Sequence, residues 1–297
     1  RMLSLADKIH LSIIWTIDIM AIITNILLIT AIALRTPKQL RSYSVFLLFN
    51  AIVDLLSASA SGLGAVRVIQ NRNELWLVTI FVFLGPCSLV SEHLCRLCQA
   101  MHIELVNLST IVLLLAFAFR LYVIGEVSGY RRVLSPTQIA VGCSLVLLPL
   151  VPHTAAYYFE QTSVSTEALQ RLHLSGYTTS ISPVVITGIF LVRRMLIARI
   201  SQSVSDHICL EHFSPAQLTF LQKSTEKRHH VFIARALTYQ MLLPCGVAVA
   251  STIWMMDTVQ IWSCDVTERF IMITCSLLPL ASPIINFTML PPYRAIL

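Results

Sequence analysis

Along this chain, apolar runs too long for a globular core alternate with short polar breaks. A membrane-spanning helix needs about 20 mostly apolar residues. Seven segments meet that length: His10–Leu34, Tyr43–Val66, Leu97–Ile124, Thr137–Phe159, Gly176–Ala198, Val231–Met256 and Phe270–Leu290. An eighth run, Trp76–Gly85, is much shorter. As a helix it would rise about 15 Å, half a bilayer core. It reads as a re-entrant or interfacial loop feeding the third span. The breaks at 35–42, 125–136 and 160–175 are short, which makes successive helices antiparallel neighbours. The longest connection, 199–230, joins the fifth and sixth spans and carries the mixed stretch "STEKRHH". The pattern predicts an all-α membrane protein, with residues 1–297 forming a single seven-helix transmembrane domain.

Composition agrees with the pattern. Of 297 residues, 56% are hydrophobic and 12% charged, against roughly 25% charged in soluble domains. The first apolar run is too long for a signal-peptide core and no small-residue cleavage site follows it, so it counts as a span. Charge then sets orientation. With the N-terminus outside, the segments facing the cytoplasm (35–42, 120–136, 193–230 and 291–297) hold 13 Lys and Arg, and the outer segments hold seven. That bias predicts N-terminus out and C-terminus in. The net charge of +6 is thus a topology signal and gives no reason to expect nucleic acid.

An ionisable or amide side chain in a span costs free energy and asks for a reason. Asp54 lies mid-way along the second span in "LLFNAIVDLL", with Asn50 one turn earlier and Asn25 mid-way along the first span. Their expected role is an interhelical hydrogen-bond cluster. Glu104, near His102 in the third span, either bonds a neighbouring helix or meets a ligand. Arg120 ends that span, where an arginine can snorkel to the boundary. Pro149, Pro152, Pro183, Pro244, Pro279 and Pro283 fall inside spans. Each removes a backbone bond and permits a kink, which suits a protein that switches.

Of the eight cysteines, Cys87, Cys95, Cys98 and Cys264 fall at or near the outer surface, where disulfides persist. Cys87 can pair with Cys95, with Cys98 or with Cys264. In "HLCRLCQAMH" the residues Cys95, Cys98 and His102 share a helix face, a spacing a soft metal could use, but two buried thiols and a hydrogen-bonded histidine explain it equally well, and no metal or other cofactor is expected. Phosphate-binding glycine loops, zinc-protease helices and nucleophile elbows are missing from the sequence, so an enzyme is not expected. Both Asn-x-Ser/Thr sequons, at Asn107 and Asn286, sit inside spans, where glycosylation is not expected.

Four motifs, in order, resemble those of rhodopsin-like receptors. "FNAIVDLL" with Asn50 and Asp54 resembles their second-helix element, and Asn25 their first-helix asparagine. "AFRLYVI" resembles Asp-Arg-Tyr, with Arg120 as the arginine; "LTYQMLLP" places Pro244 like the sixth-helix kink proline; "SPIIN", Ser282 to Asn286, resembles Asn-Pro-x-x-Tyr. The chain is more similar to nematode seven-helix chemoreceptors of the Str-like superfamily, and within it the Srd class. "LRSYSVFLLFNAIVDL", "GPC" at Gly85–Cys87, "FRLYVI", "ALTYQMLLP" and "PYR" at Pro292–Arg294 carry that resemblance. Phe119, Leu243, Ser282 and Asn286 depart from the rhodopsin-like pattern.

The resemblance implies a chemosensory G-protein-coupled receptor in the plasma membrane of sensory neurons or their cilia, with a small-molecule ligand and a heterotrimeric G protein as partners. Depth and helix membership make Met101, His102, Glu104, Leu105, Tyr177, Ser182, Gln240, Met241, Met272 and Cys275 the candidates to line a ligand pocket in the outer half. Asn25, Asn50, Asp54, Pro244, Ser282, Pro283 and Asn286 would form the polar network and switch. Arg120, Tyr122, Arg131, Arg132, Arg194, Lys227, Arg228 and Arg294 would face the G protein. Two other classes compete. A transporter commonly shows internal repeats, and none is visible here. A seven-helix ligand-gated channel of the insect odorant-receptor kind has its N-terminus inside, against the charge bias.

Overall fold

The fold is that of a computed structural model, described for residues 3–36, 41–70, 78–125, 136–148, 150–164, 169–170, 174, 177–183, 238–240, 242–258, 261, 264–290 and 293. Within these residues the chain runs α1 (Leu5–Arg35), α2 (Arg41–Gly64), β1 (Val66–Gln70), β2 (Val78–Phe83), α3 (Cys87–Val90), α4 (Glu92–Gly125), α5 (Pro136–Leu147), α6 (Leu150–Glu160), β3 (Thr178–Pro183), α7 (Leu243–Thr258) and α8 (Asp265–Met289). Among the described residues, four helices are long and apolar enough to cross a membrane: Leu5–Arg35, Tyr43–Gly64, Glu92–Phe119 and Asp265–Met289.

α1 shows the solvent that this fold expects. Its outward face carries Ile9, Ile13, Ile19, Ile23, Ile26 and Leu27, all exposed, whereas Asp7, His10, Asp18 and Asn25 are buried. A soluble helix has the opposite arrangement. Apolar side chains outward and polar ones inward satisfy both faces only when hydrocarbon surrounds the bundle. The helix starts at Ser4, whose Oγ accepts from the Asp7 backbone N–H at 3.1 Å and so fills one orphan donor.

α2 packs against α1 and α4, α1 against α8, and α8 against α7. Leu28, Tyr43, Phe46, Leu47, Phe117, Phe119, Phe287 and Tyr293 belong to an apolar cluster at one end. At the other end the chain turns sharply. Ala65 takes a left-handed conformation (φ 39°) and its N–H bonds Ser61 O at 2.6 Å, which ends α2 and starts β1. Gly85 then returns across this corner, with its N–H on Gly64 O at 3.0 Å. An added Cβ there would stand 2.3 Å from Leu63 O, so only glycine fits.

The sheet is the main departure from the expected all-helical outline. β2 lies centrally and pairs antiparallel with β1 (Val68↔Phe81) and with β3 (Phe81↔Ser180). The run expected to be a re-entrant loop, Trp76–Gly85, contains this strand. Thr79, Ile80, Phe81, Val82 and Phe83 are all buried, so the strand is covered on both faces and reads as unbroken apolar sequence. The fifth span was expected from Gly176, but Thr178–Pro183 are strand. Their β-branched Thr178, Thr179 and Ile181 favour it, and Pro183 closes it, lacking the donor a ladder needs.

Other boundaries moved less. Val66 belongs to β1 and not to the second span. The fourth span is two helices, α5 and α6, with Pro152 in the first turn of α6, where its missing N–H costs no helical bond within α6. The sixth is described only from Thr238, as a helical turn at 238–240 followed by α7 beside Pro244. The first, third and seventh expected spans coincide with α1, α4 and α8 to within a few residues.

Candidate functional site

Beneath the sheet lies a cavity of about 50 Å³. β1 and β2 roof it with Val68 and Phe81; α4 supplies Gln99, His102 and Ile103; α7 supplies Ala250, Ser251 and Trp254; α8 supplies Ile271, Met272 and Cys275. Among the described residues, no Asp, Glu, Lys or Arg lines it. Gln99 and His102 recur one turn apart on the inward face of α4, which is why both reach the same space.

The roof is fastened at its rim. Arg67 on β1 donates to Asp7 at 3.2 Å, pairs with Asp265, and lies 3.9 Å from Glu268. Arg269 sits 2.8 Å from Asp7 and 3.0 Å from Asp265, and its Nη1 also donates to Ala6 O at 3.1 Å. Tyr177 donates its hydroxyl to Asp7 Oδ2 at 3.2 Å, and His10 Nε2 lies 3.1 Å from Val66 O. Five charged groups from α1, β1 and α8 therefore converge over one end of the bundle. A disulfide adds to this. Of the three pairings open to Cys87, the structure forms Cys87–Cys95, which ties α3 to the first turn of α4. Cys95 is thereby removed from the thiol group shared with Cys98 and His102, and the described residues contain no cluster of metal ligands.

On the other side of the cavity the contacts become uncharged hydrogen bonds. The His102 ring nitrogen Nδ1 lies 3.2 Å from Ser57 Oγ on α2. Ser57 shares a face with Ser61 and Asp54, one turn away in each direction. Ser61 and Ser276 exchange a hydroxyl bond of 2.9 Å. Deeper, Asn50 Nδ2 donates to Asp54 Oδ2 at 2.7 Å and to Ser282 Oγ at 3.0 Å, while Ser109 Oγ donates to Asn50 Oδ1 at 3.1 Å. One amide thus joins α2, α4 and α8.

Asn25 repairs a specific defect. Pro283 has no N–H, so the carbonyl four residues earlier, that of Pro279, loses its helical partner. Asn25 Nδ2 donates to Pro279 O at 2.9 Å, and to Ala21 O in its own helix at 2.9 Å. The first-helix asparagine and the seventh-helix kink are one unit. Near the far end, Tyr293 and Thr36 lie 3.1 Å apart through their hydroxyls and join the ends of α8 and α1.

Of the residues expected to line a pocket, His102, Met272 and Cys275 do so. Met101 and Leu105 pack instead with Val53, Leu108 and Val112 between α2 and α4. Glu104 is buried with Asn107 Nδ2 3.5 Å from its Oε1. Tyr177 belongs to the charged rim, and Ser182 lies on β3 opposite Thr79. Gln240 is buried away from the cavity lining, and Met241 lies outside the described residues. Of the expected network, Asn25, Asn50, Asp54 and Ser282 are brought together, with Pro283 acting through Pro279 O; Asn286 is buried one turn on, its Oδ1 unpartnered among the described residues. The side chains of Pro244, Arg120, Tyr122, Arg131, Arg132, Arg194, Lys227, Arg228 and Arg294 lie outside the described residues. Sequence reasoning missed Gln99, Ser251, Trp254 and the roof residues Val68 and Phe81. For Gln99 a signal was available: an amide one turn before His102 in an apolar run.

The family model for the serpentine type 7TM GPCR chemoreceptor Srd matches residues 11–297. Among curated proteins, the chain is 26% identical to serpentine receptor class delta-1 of Caenorhabditis elegans, over 92% of this chain and 76% of that receptor. It is 25% identical to serpentine receptor class delta-2 of the same nematode, over 91% of this chain and 77% of the relative, and 25% identical to class delta-18, over 94% and 85%.

Proposed function

The chain belongs to the Srd family of serpentine seven-transmembrane chemoreceptors, and from this premise we propose that it detects a small molecule in the cavity beneath the sheet and signals to a heterotrimeric G protein. The sheet end would face outside the cell and the end bearing Thr36 and Tyr293 the cytoplasm, which puts the N-terminus out and agrees with the charge bias of the loops. The seven spans would be completed by segments outside the described residues. The plasma membrane of sensory neurons or their cilia is the place where such a receptor would meet its ligand.

One observation carries this reading. The wall of the cavity is hydrogen-bonded to the helix that carries the polar network: His102 lines the cavity and contacts Ser57, one turn along α2 from Asp54. A ligand touching His102 therefore acts on the helix that carries the network, and the network acts on the proline-bent α8. Signalling would be a shift in population toward the arrangement that binds ligand better. Arg120 and Tyr122, with Arg131, Arg132, Arg194, Lys227, Arg228 and Arg294, would offer the basic surface to the G protein.

Two measurements test it. Epitope tags on intact cells should give N-terminal access without permeabilisation and C-terminal access only after it; the reverse sinks the orientation and moves a ligand-gated channel forward. Guanine-nucleotide exchange on a panel of G proteins should rise with the receptor present. Ligand-evoked current that persists without any G protein would replace the signalling half of the proposal.

A further inference from the structure

Gln99 Nε2 is a buried donor on the cavity wall with no hydrogen-bond partner among the described residues. Gln99 is 1% exposed, lines the cavity, and its Nε2 makes no hydrogen bond among the described residues. A buried donor without an acceptor is an unfavourable arrangement that any acceptor entering the cavity relieves. The other polar wall residues are engaged elsewhere: the His102 ring nitrogen Nδ1 meets Ser57, and Ser251 has its own partner.

The remaining wall limits the occupant in two ways. Among the described residues it contains no carboxylate, ammonium or guanidinium, and the charges nearest the roof, Arg67, Arg269, Asp7, Asp265 and Glu268, are committed to one another. A charged ligand would lose its hydration there and find no counter-ion. The volume, about 50 Å³, is several times the space that one water requires on the same measure (about 10–15 Å³). The occupant is therefore a short molecule.

Resting on the receptor reading above, we propose that the ligand is a small uncharged molecule with an apolar body and one hydrogen-bond acceptor, a carbonyl or ether oxygen, which accepts a hydrogen bond from Gln99 Nε2. Phe81, Trp254, Ile271 and Met272 receive the apolar body. Gln99 is a specificity-determining residue: it decides for an oxygen-bearing ligand against a hydrocarbon of equal shape.

The test uses the full chain in lipid nanodiscs with four probes: 2-pentanone, pentane, butylammonium and butanoate. Binding is read by ligand-observed NMR, with empty nanodiscs subtracting partition into lipid. The expected result is saturable binding of 2-pentanone, roughly tenfold or more tighter than pentane, and none of either ion. Gln99→Met, of similar length but without the donor, should bring the ketone down to the level of pentane. Gln99→Leu, apolar and without the amide, removes the donor with a different shape, guards against a fold defect in the first variant and should also lose the ketone preference. Equal binding of ketone and pentane, tighter binding of an ion, or a ketone preference that survives both substitutions would overturn the proposal, as would no binding of any probe. Guanine-nucleotide exchange without added probe, measured on the same preparation, separates the two readings. Exchange with the wrong binding pattern removes the ligand chemistry and leaves the receptor; the right binding pattern without exchange does the reverse.

Discussion

At the sheet end, Asp7, Asp265 and Glu268 converge on Arg67 and Arg269, and Cys87 is bonded to Cys95. About 15 Å along α2, Asn50, Asp54, Ser109 and Ser282 meet through hydrogen bonds of 2.7 to 3.1 Å with no Lys or Arg among their described partners. Both regions join α2 or its continuation to α8, but their exchange costs differ. Breaking a buried ion pair leaves an uncompensated charge and costs about 3–5 kcal/mol, whereas a typical hydrogen bond contributes a net of about 0.5–1.5 kcal/mol. The first region holds one arrangement. On the proposed function, the second would trade partners within the range that a ligand supplies, with the roof as the fixed part and the network as the adjustable one.

The contrast can be attacked at the fixed end first. Arg269→Leu removes the link to buried Asp7, along with the one to exposed Asp265, and should lower stability by about 3 kcal/mol, read as a drop in the thermal unfolding midpoint in nanodiscs. A shift no larger than that of a surface substitution would mean that the rim is decoration. Cys87→Ser opens a loop of sequence separation 8, and chain entropy sets its cost at about 2.5 kcal/mol. The same loss should appear when wild-type receptor is reduced, and the two effects should not add.

Two substitutions probe the adjustable end. Asn25→Leu strips the donor from Pro279 O and leaves that buried carbonyl unpaired, at about 2 kcal/mol. Asp54→Asn keeps an acceptor for Asn50 Nδ2 and should cost under about 1 kcal/mol, with any larger effect appearing in nucleotide exchange and not in unfolding. Asp54→Asn unfolding the receptor as readily as Arg269→Leu would erase the distinction between the regions.

Which of these parts could be read from the chain follows from the range of the forces that shape them. Spans were legible because about 20 apolar residues in a row is a local signal. Asn25, Asn50, Asp54 and Ser282 were legible because a buried amide or carboxylate in such a run is conspicuous, though the sequence did not say that Asn25 would answer the carbonyl freed by Pro283. The roof was not legible. β2 pairs with β3 across about a hundred residues, Val78 with Pro183, and nothing within either strand names the other. Since Val68 and Phe81 close the cavity, choosing its lining residues by helix depth alone placed Met101, Leu105 and Ser182 in the wrong company. The rim was hidden for the same reason: Asp7, Arg67 and Arg269 are ordinary loop-end charges until the helices bring them together.

The bond from Asn25 to the Pro279 carbonyl has a mechanical meaning. A proline bend by itself is a compliant elbow, free to take any angle its neighbours allow. With a pin from another helix through the joint, the elbow has one seated position. Straightening α8 must then carry α1 along or pull the pin, and there is no gradual path between seated and withdrawn. On the proposed function the joint would work as a detent, turning a graded push from the cavity into a discrete step.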